Sequence, residues 1–225
     1  MLLYYITDRS QFAGREEERQ RQLVDRIARA AAAGIELVQL REKDLPARDV
    51  AQLATAALRD IHIRGASTRL LINSRIDIAL ACGAHGVHLT STDPGAEQAR
   101  SVVRLAGDKR VQDDFLIAVS CHSIAEVRST VERGADMAVL APIFEKILAP
   151  REPAGEAAPR QIGIGCEVLR QACSTTAKPV LALGGVTLDN AADCMRAGAA
   201  GIAGIRLFQE GNLEDTVRRL RAIRA

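Results

Sequence analysis

Two sets of residues in this chain have the types and spacing to hold a phosphorylated ligand. In Val38-Gln-Leu-Arg-Glu-Lys43 the alternation of a strand puts Gln39 and Arg41 on one face, and Lys43 follows at the strand's end. A guanidinium that can fork across two oxygens, beside an ammonium, suits a diphosphate. The second set lies between Lys178 and Phe208, where one apolar run ends in Gly184-Gly185 and a later one contains Gly204-Ile-Arg206. If the two runs are parallel strands joined by a helical crossover, bare backbone N–H groups and the Arg206 guanidinium meet on one rim and can cradle a phosphate. A Gly-Gly pair that only closes a turn after a buried strand is the plainer alternative.

Other polar residues carry weaker signals singly. Asn73 and Asp93 offer an amide oxygen and a carboxylate, hard ligands that suit Mg²⁺, although Asp93 before Pro94 also reads as a helix N-cap. In Val119-Ser-Cys-His-Ser123, Ser120 could donate to a phosphate oxygen or serve a helix start, with His122 beside it. His88, between Val87 and Leu89, reads as a hydrogen-bonded core residue. No order of serine, histidine and acid points to a hydrolase.

These residues need elements to bring them together, and the chain supplies eight repeats of a short apolar run followed by a longer amphipathic one. The predicted strands are Leu3–Thr7, Glu36–Arg41, Arg69–Asn73, Gly86–Leu89, Phe115–Ser120, Met137–Ile143, Pro179–Leu183 and Gly201–Leu207. The predicted helices are Glu16–Ala33, Ala47–Arg64, Arg75–Cys82, Ala96–Ala106, Ile124–Arg133, Gly165–Thr175, Leu188–Ala197 and Leu213–Ala225. Eight such units within 225 residues predict a single (β/α)₈ TIM barrel spanning residues 1–225. A doubly wound sheet would more often carry a glycine fingerprint after its first strand, where this chain has Thr7-Asp-Arg-Ser10. In a barrel the polar residues above all fall at strand C-termini, the end where that fold does chemistry, and the seventh and eighth strands are where it commonly binds phosphate. The long irregular stretch 145–164, with Lys146, Arg151 and Arg160, then reads as a mobile lid over the mouth carrying a cation.

Composition excludes several function classes. A net charge of +2 and 3% aromatic residues argue against a nucleic-acid-binding face or stacking platform. No apolar run is long enough for a membrane span, and no basic segment leads into a hydrophobic one at the start. Five cysteines, an odd number without metal-ligand spacing, read as reduced core thiols and a cytoplasmic location.

Taken together, the chain resembles the thiamine phosphate synthase/thiazole tautomerase (TenI-type) superfamily. The matching stretches are Tyr5-Ile-Thr-Asp8, Val38-Gln-Leu-Arg-Glu-Lys-Asp44, Leu71-Ile-Asn-Ser-Arg-Ile-Asp-Ile-Ala-Leu80, Gly83-Ala-His-Gly-Val-His-Leu89, Val119-Ser-Cys-His-Ser123, Ala141-Pro-Ile-Phe144 and Ala182-Leu-Gly-Gly-Val186. The resemblance implies an enzyme that couples hydroxymethylpyrimidine diphosphate to thiazole phosphate, releases diphosphate, uses Mg²⁺ and forms a homodimer. It implies pyrimidine-diphosphate contacts at Gln39, Arg41, Lys43, Asn73 and Ser120, of which Arg41, Lys43 and Ser120 are the candidates for catalysis on the leaving group. It implies a thiazole-phosphate cradle at Gly185, Ile205 and Arg206, where the family commonly has serine in place of Arg206, and Gly184 and Gly204 join it from the reading of the two strand ends above. The metal candidates are Asp93 and Ser74, the latter standing where the synthases carry a second aspartate. The family's Gly-Pro-Ile-Phe-Pro-Thr-x-Thr-Lys loop is Ala-Pro-Ile-Phe-Glu-Lys-Ile-Leu-Ala149 here, and the tautomerase histidine falls at Pro142. A thiazole tautomerase or a non-catalytic phosphate-ligand-binding member are the alternatives.

Overall fold

Short runs of Leu, Val, Ile and Ala become strands buried on both faces when helices cover one side and a closed interior the other. A computed structural model, which describes residues 1–106, 109–147 and 160–223, shows that arrangement. The strands are β1 Leu2–Ile6, β2 Leu37–Leu40, β3 Arg69–Asn73, β4 Gly86–Leu89, β5 Leu116–Cys121, β6 Met137–Leu140, β7 Lys146–Ile147, β8 Arg160–Gln161, β9 Val180–Ala182 and β10 Gly201–Gly204. Eight of them close a parallel barrel in the order β1-β10-β9-β6-β5-β4-β3-β2, and β7 pairs with β8 as a separate antiparallel ribbon. The helices are α1 Glu16–Ala32, α2 Ala47–Ile63, α3 Ile76–Ala81, α4 Ala96–Leu105, α5 Lys109–Asp114, α6 Ile124–Glu132, α7 Gly165–Ser174, α8 Ala191–Arg196, α9 Arg206–Gln209 and α10 Leu213–Arg221. Among the described residues, no helix is long and apolar enough to cross a membrane.

The two-residue period of the strands sorts side chains between two cores. Leu3, Tyr5, Val38, Leu40, Leu70, Ile72, Val87, Leu89, Val119 and Cys121 join the layer under the helices. Tyr4, Ile6, Leu37, Leu71, Ala118, Met137, Val139, Leu181 and Ala203 fill the barrel interior. Gln39, Asn73, His88 and Ser120 share the parity of the interior set, so each points inward near the C-terminal end of its strand.

Several boundaries depart from the sequence expectation. The eighth barrel strand stops at Gly204 rather than Leu207: Ile205 turns out of the sheet, and residues 206–209 form a helical turn that buries Phe208 against Tyr5. Strand six stops at Leu140 because the chain reaches Pro142, which has no N–H for the ladder. The third and seventh expected helices begin late, at Ile76 and Ala191. The expected lid falls largely outside the described residues, which omit 148–159 and with them Arg151, and the side chains of Lys146 and Arg160 lie outside them too. On the side of the barrel away from the strand C-termini, the Arg221 guanidinium donates to Met1 O at 2.5 Å, Gly34 O at 2.9 Å and Glu36 at 2.5 Å.

Candidate active site at the barrel mouth

One cavity of about 1050 Å³ opens at the strand C-termini. Its walls include Gln39, Arg41, Lys43, Asn73, Ser120, Gly184, Gly185, Gly204, Ile205 and Arg206, so the structure gathers every residue expected to bind substrate. It also brings in His88, Thr90, His122 and Arg219. Arg219 gave no signal in the sequence, because an arginine on an amphipathic C-terminal helix looks like any solvated position.

The β2 side is held by a buried charge network. Glu42 follows Arg41, and its Oε1 accepts from Thr7 Oγ1 at 2.6 Å while Oε2 accepts from the backbone N and Nη1 of Arg9, each at 3.1 Å. Thr7 Oγ1 in turn accepts from Arg41 N at 2.9 Å. Arg9 completes the cluster with a forked pair to Asp44, both bonds 2.7 Å, and a 2.6 Å bond to Glu16. Burial pushes the Glu42 carboxyl up, against the hydrogen bonds from Thr7 and Arg9. Since Glu42 is taken by Arg9, Arg41 and Lys43 have no carboxylate partner among the described residues. Arg41 depresses the Lys43 pKa, with burial adding and Asp93 opposing. Two neighbouring cations with no carboxylate bonded to either among the described residues are a site suited to an anion.

At the ends of β3 and β4 a short chain of hydrogen bonds runs from Asn73 to Asp93. Asn73 Nδ2 donates to Ser74 Oγ at 3.0 Å, and Ser74 Oγ donates to Asp93 Oδ2 at 2.7 Å. The same Oδ2 accepts from Thr90 N at 2.7 Å and Thr90 Oγ1 at 2.8 Å. Asp93 is therefore no helix cap; α4 is preceded by Gly95 at that position. Burial would raise the Asp93 pKa, but the Thr90 and Ser74 bonds outweigh it and hold the group below its ordinary value. Ser74 has φ +61°, alone among the described non-glycine residues in having positive φ, in the left-handed region where Asp and Asn are better tolerated than most side chains. Among the described residues no three His, Cys, Asp or Glu side chains cluster as a metal site.

On the opposite rim, Gly184 and Gly185 have φ of +91° and +66°. A Cβ on Gly184 would stand 2.8 Å from Pro142 Cα, and one on Gly185 2.7 Å from Glu145 O, so the pair lies flat against the loop after β6. Their carbonyls are tied back, Gly184 O by Phe144 N and Gly185 O by Asn190 Nδ2, both at 3.0 Å. The N–H groups of Gly184, Gly185, Ile205 and Arg206 donate to none of the described residues. The glycines thus make a turn and also leave bare donors at the cavity, beside Arg206, whose side chain has no partner among the described residues.

The floor between the two ends carries His88, whose Nδ1 lies 2.9 Å from Tyr4 Oη and whose Nε2 lies 2.8 Å from Ser120 Oγ. His122, after β5, donates from Nδ1 to Ala141 O at 2.8 Å, immediately before Pro142.

This geometry agrees with what known proteins resemble the chain. The family described as thiamine monophosphate synthase matches residues 3–208. A Geobacter sulfurreducens protein provisionally designated a thiamine-phosphate synthase is 41% identical over 204 residues, covering 89% of this chain and 83% of its own length. The thiamine-phosphate synthase of Methanoculleus marisnigri is 34% identical over 220 residues, covering 97% and 93%. Among solved structures, thiamine phosphate pyrophosphorylase from Pyrococcus furiosus superposes with a TM-score of 0.76 at 25% identity, covering 99% of this chain and 94% of its own.

Proposed function

The chain belongs to the thiamine monophosphate synthase family and is an enzyme of that type, and we propose that it couples hydroxymethylpyrimidine diphosphate to thiazole phosphate, releasing diphosphate. The observation that carries this is the convergence of two unlike anion sites on one cavity. At one end stand Arg41 and Lys43, with no carboxylate partner among the described residues, together with Gln39, Asn73 and Ser120. At the other stand bare N–H groups and Arg206.

In this reading the diphosphate lies against Arg41, Lys43 and Ser120. As the bond from the pyrimidine methylene to the diphosphate oxygen breaks, the electron pair leaves on that oxygen, and these three groups stabilise the growing charge. The thiazole nitrogen supplies the pair for the new carbon–nitrogen bond, and the phosphate cradle fixes the ring in reach of the methylene. A single carboxylate together with substrate phosphates is an ordinary Mg²⁺ donor set, so Asp93 would hold the ion with the diphosphate's own oxygens. When bound, Mg²⁺ would neutralise leaving-group charge.

Incubating purified protein with both substrates and Mg²⁺ should yield thiamine phosphate and diphosphate; no turnover of the pair would sink the proposal. Arg206→Ala removes a charge-assisted hydrogen bond, so thiazole-phosphate affinity measured by calorimetry should fall about ten- to a hundredfold. A thiazole tautomerase is the second reading, favoured by the His122 imidazole lying in the cavity against the residue before Pro142. Proton exchange into the thiazole substrate alone, abolished in His122→Ala, would mark that activity.

A further inference from the structure

Three residues on the barrel floor are joined through their polar atoms, and the direction of those bonds has chemical content. Tyr4 on β1 is fully buried, and its hydroxyl meets His88 Nδ1 on β4; the other imidazole nitrogen meets Ser120 Oγ on β5. A buried phenol must spend its hydrogen on an acceptor or lose about as much as a missing hydrogen bond costs. Among the described residues the one acceptor within hydrogen-bond distance of its hydroxyl is His88 Nδ1. The phenol's own hydrogen therefore goes to Nδ1.

An imidazole that accepts at Nδ1 carries its proton at Nε2, provided it is neutral. Both ring nitrogens of His88 are held by uncharged hydroxyls, Tyr4 Oη and Ser120 Oγ. His88 is 2% exposed and no described carboxylate bonds its ring. The Nε2 hydrogen then occupies a lone pair of Ser120 Oγ, which has no other described partner. Ser120 cannot give its hydrogen to His88, and its remaining open side is the cavity.

We propose that His88 is a positioning residue: held by Tyr4 in the Nε2–H tautomer, it commits the Ser120 hydroxyl hydrogen to the cavity, where Ser120 donates to a ligand atom bearing a lone pair, such as an oxygen of a departing diphosphate. This rests on the reading of the mouth as a diphosphate site and adds the direction of its hydrogen bonds. No proton is transferred along the chain; the arrangement presets a donor where negative charge accumulates.

The direct test is nitrogen-15 NMR of the ring nitrogens in histidine-labelled full-length protein, with the His88 signals assigned by their loss in His88→Gln. The expected result is a protonated Nε2 and an unprotonated Nδ1 that stay so from pH 8 to pH 5. A protonated Nδ1, or titration within that range, overturns the proposal. The second arm is a cycle of Tyr4→Phe and Ser120→Ala read by the affinity for inorganic diphosphate with Mg²⁺. Tyr4→Phe should weaken binding about tenfold in the parent protein and leave it unchanged in Ser120→Ala. An equal loss in both backgrounds would mean that Tyr4 acts on packing alone and overturns the positioning role. If the parent protein binds no diphosphate, the reading of the mouth fails, and the tautomer measurement still decides the direction of the chain.

Discussion

Ser74 illustrates how one side chain redirects a site. Where an aspartate would put a second carboxylate beside Asp93, the serine gives Asp93 a hydrogen bond instead, and it does so from a backbone conformation that an aspartate tolerates well. Ser74→Asp should therefore fold, and it should lower the Mg²⁺ concentration for half-maximal rate on the order of tenfold. Initial rate against Mg²⁺ for both proteins is the measurement, and coincident curves would remove residue 74 from any metal role. His88 has a consequence for acid stability. Its folded pKa near 3 lies below its unfolded value, so between pH 6.5 and 3 the unfolded chain binds the proton and stability falls as pH falls, by about 1.4 kcal/mol per unit. Burial of Glu42 raises its pKa and acts in the opposite sense, strongest at low pH and lost as pH rises through the folded value. His85, also depressed by burial, acts in the same sense as His88. Both are present in His88→Gln, so urea titrations at pH 6.5 and 4.5 should show a shallower loss in the variant; equal losses would mean that His88 is not held neutral.

Among the elements, the turn after β2 is the one that sequence pattern described least well. The alternation of Gln39 and Arg41 was legible, because a two-residue period needs only residue types. That Glu42 would turn away from its neighbours and bury itself against Thr7 and Arg9 was not, since those partners lie 33 to 35 residues earlier and only barrel closure brings them close. With side-chain exposures of 7% and 1%, Arg9 and Glu42 form a buried pair, and removing one partner strands the other. Arg9→Ala should cost about 3–5 kcal/mol in urea denaturation, and adding Glu42→Gln should recover part of the loss by neutralising the stranded charge. A double variant no more stable than Arg9→Ala would show that the cost is packing. The boundary of β10 was missed for a similar reason: Ile205-Arg-Leu-Phe208 has strand-like composition, but Phe208 finds Tyr5 by folding back as a helical turn.

For the molecule as a whole, the eight-unit repeat was readable because parallel strands covered on both sides need apolar runs of the same kind eight times over. The floor of the site was not readable: His88 looked like core, and it is core, but it also links Tyr4 to Ser120. The same closure has a consequence for how the gene can be rearranged. Arg221 holds the carbonyl of Met1, so the last helix and the first residue meet on the face opposite the mouth. A short peptide from the end of α10 to Met1 would make the chain a ring, and a new opening at Gly65–Ala66, where nothing lies within 4 Å of a Cβ on Gly65, would give it different ends. Such a circular permutant should close the same barrel and turn over the same substrates within a few-fold of the parent, since every residue of the mouth keeps its neighbours while the order of reading changes.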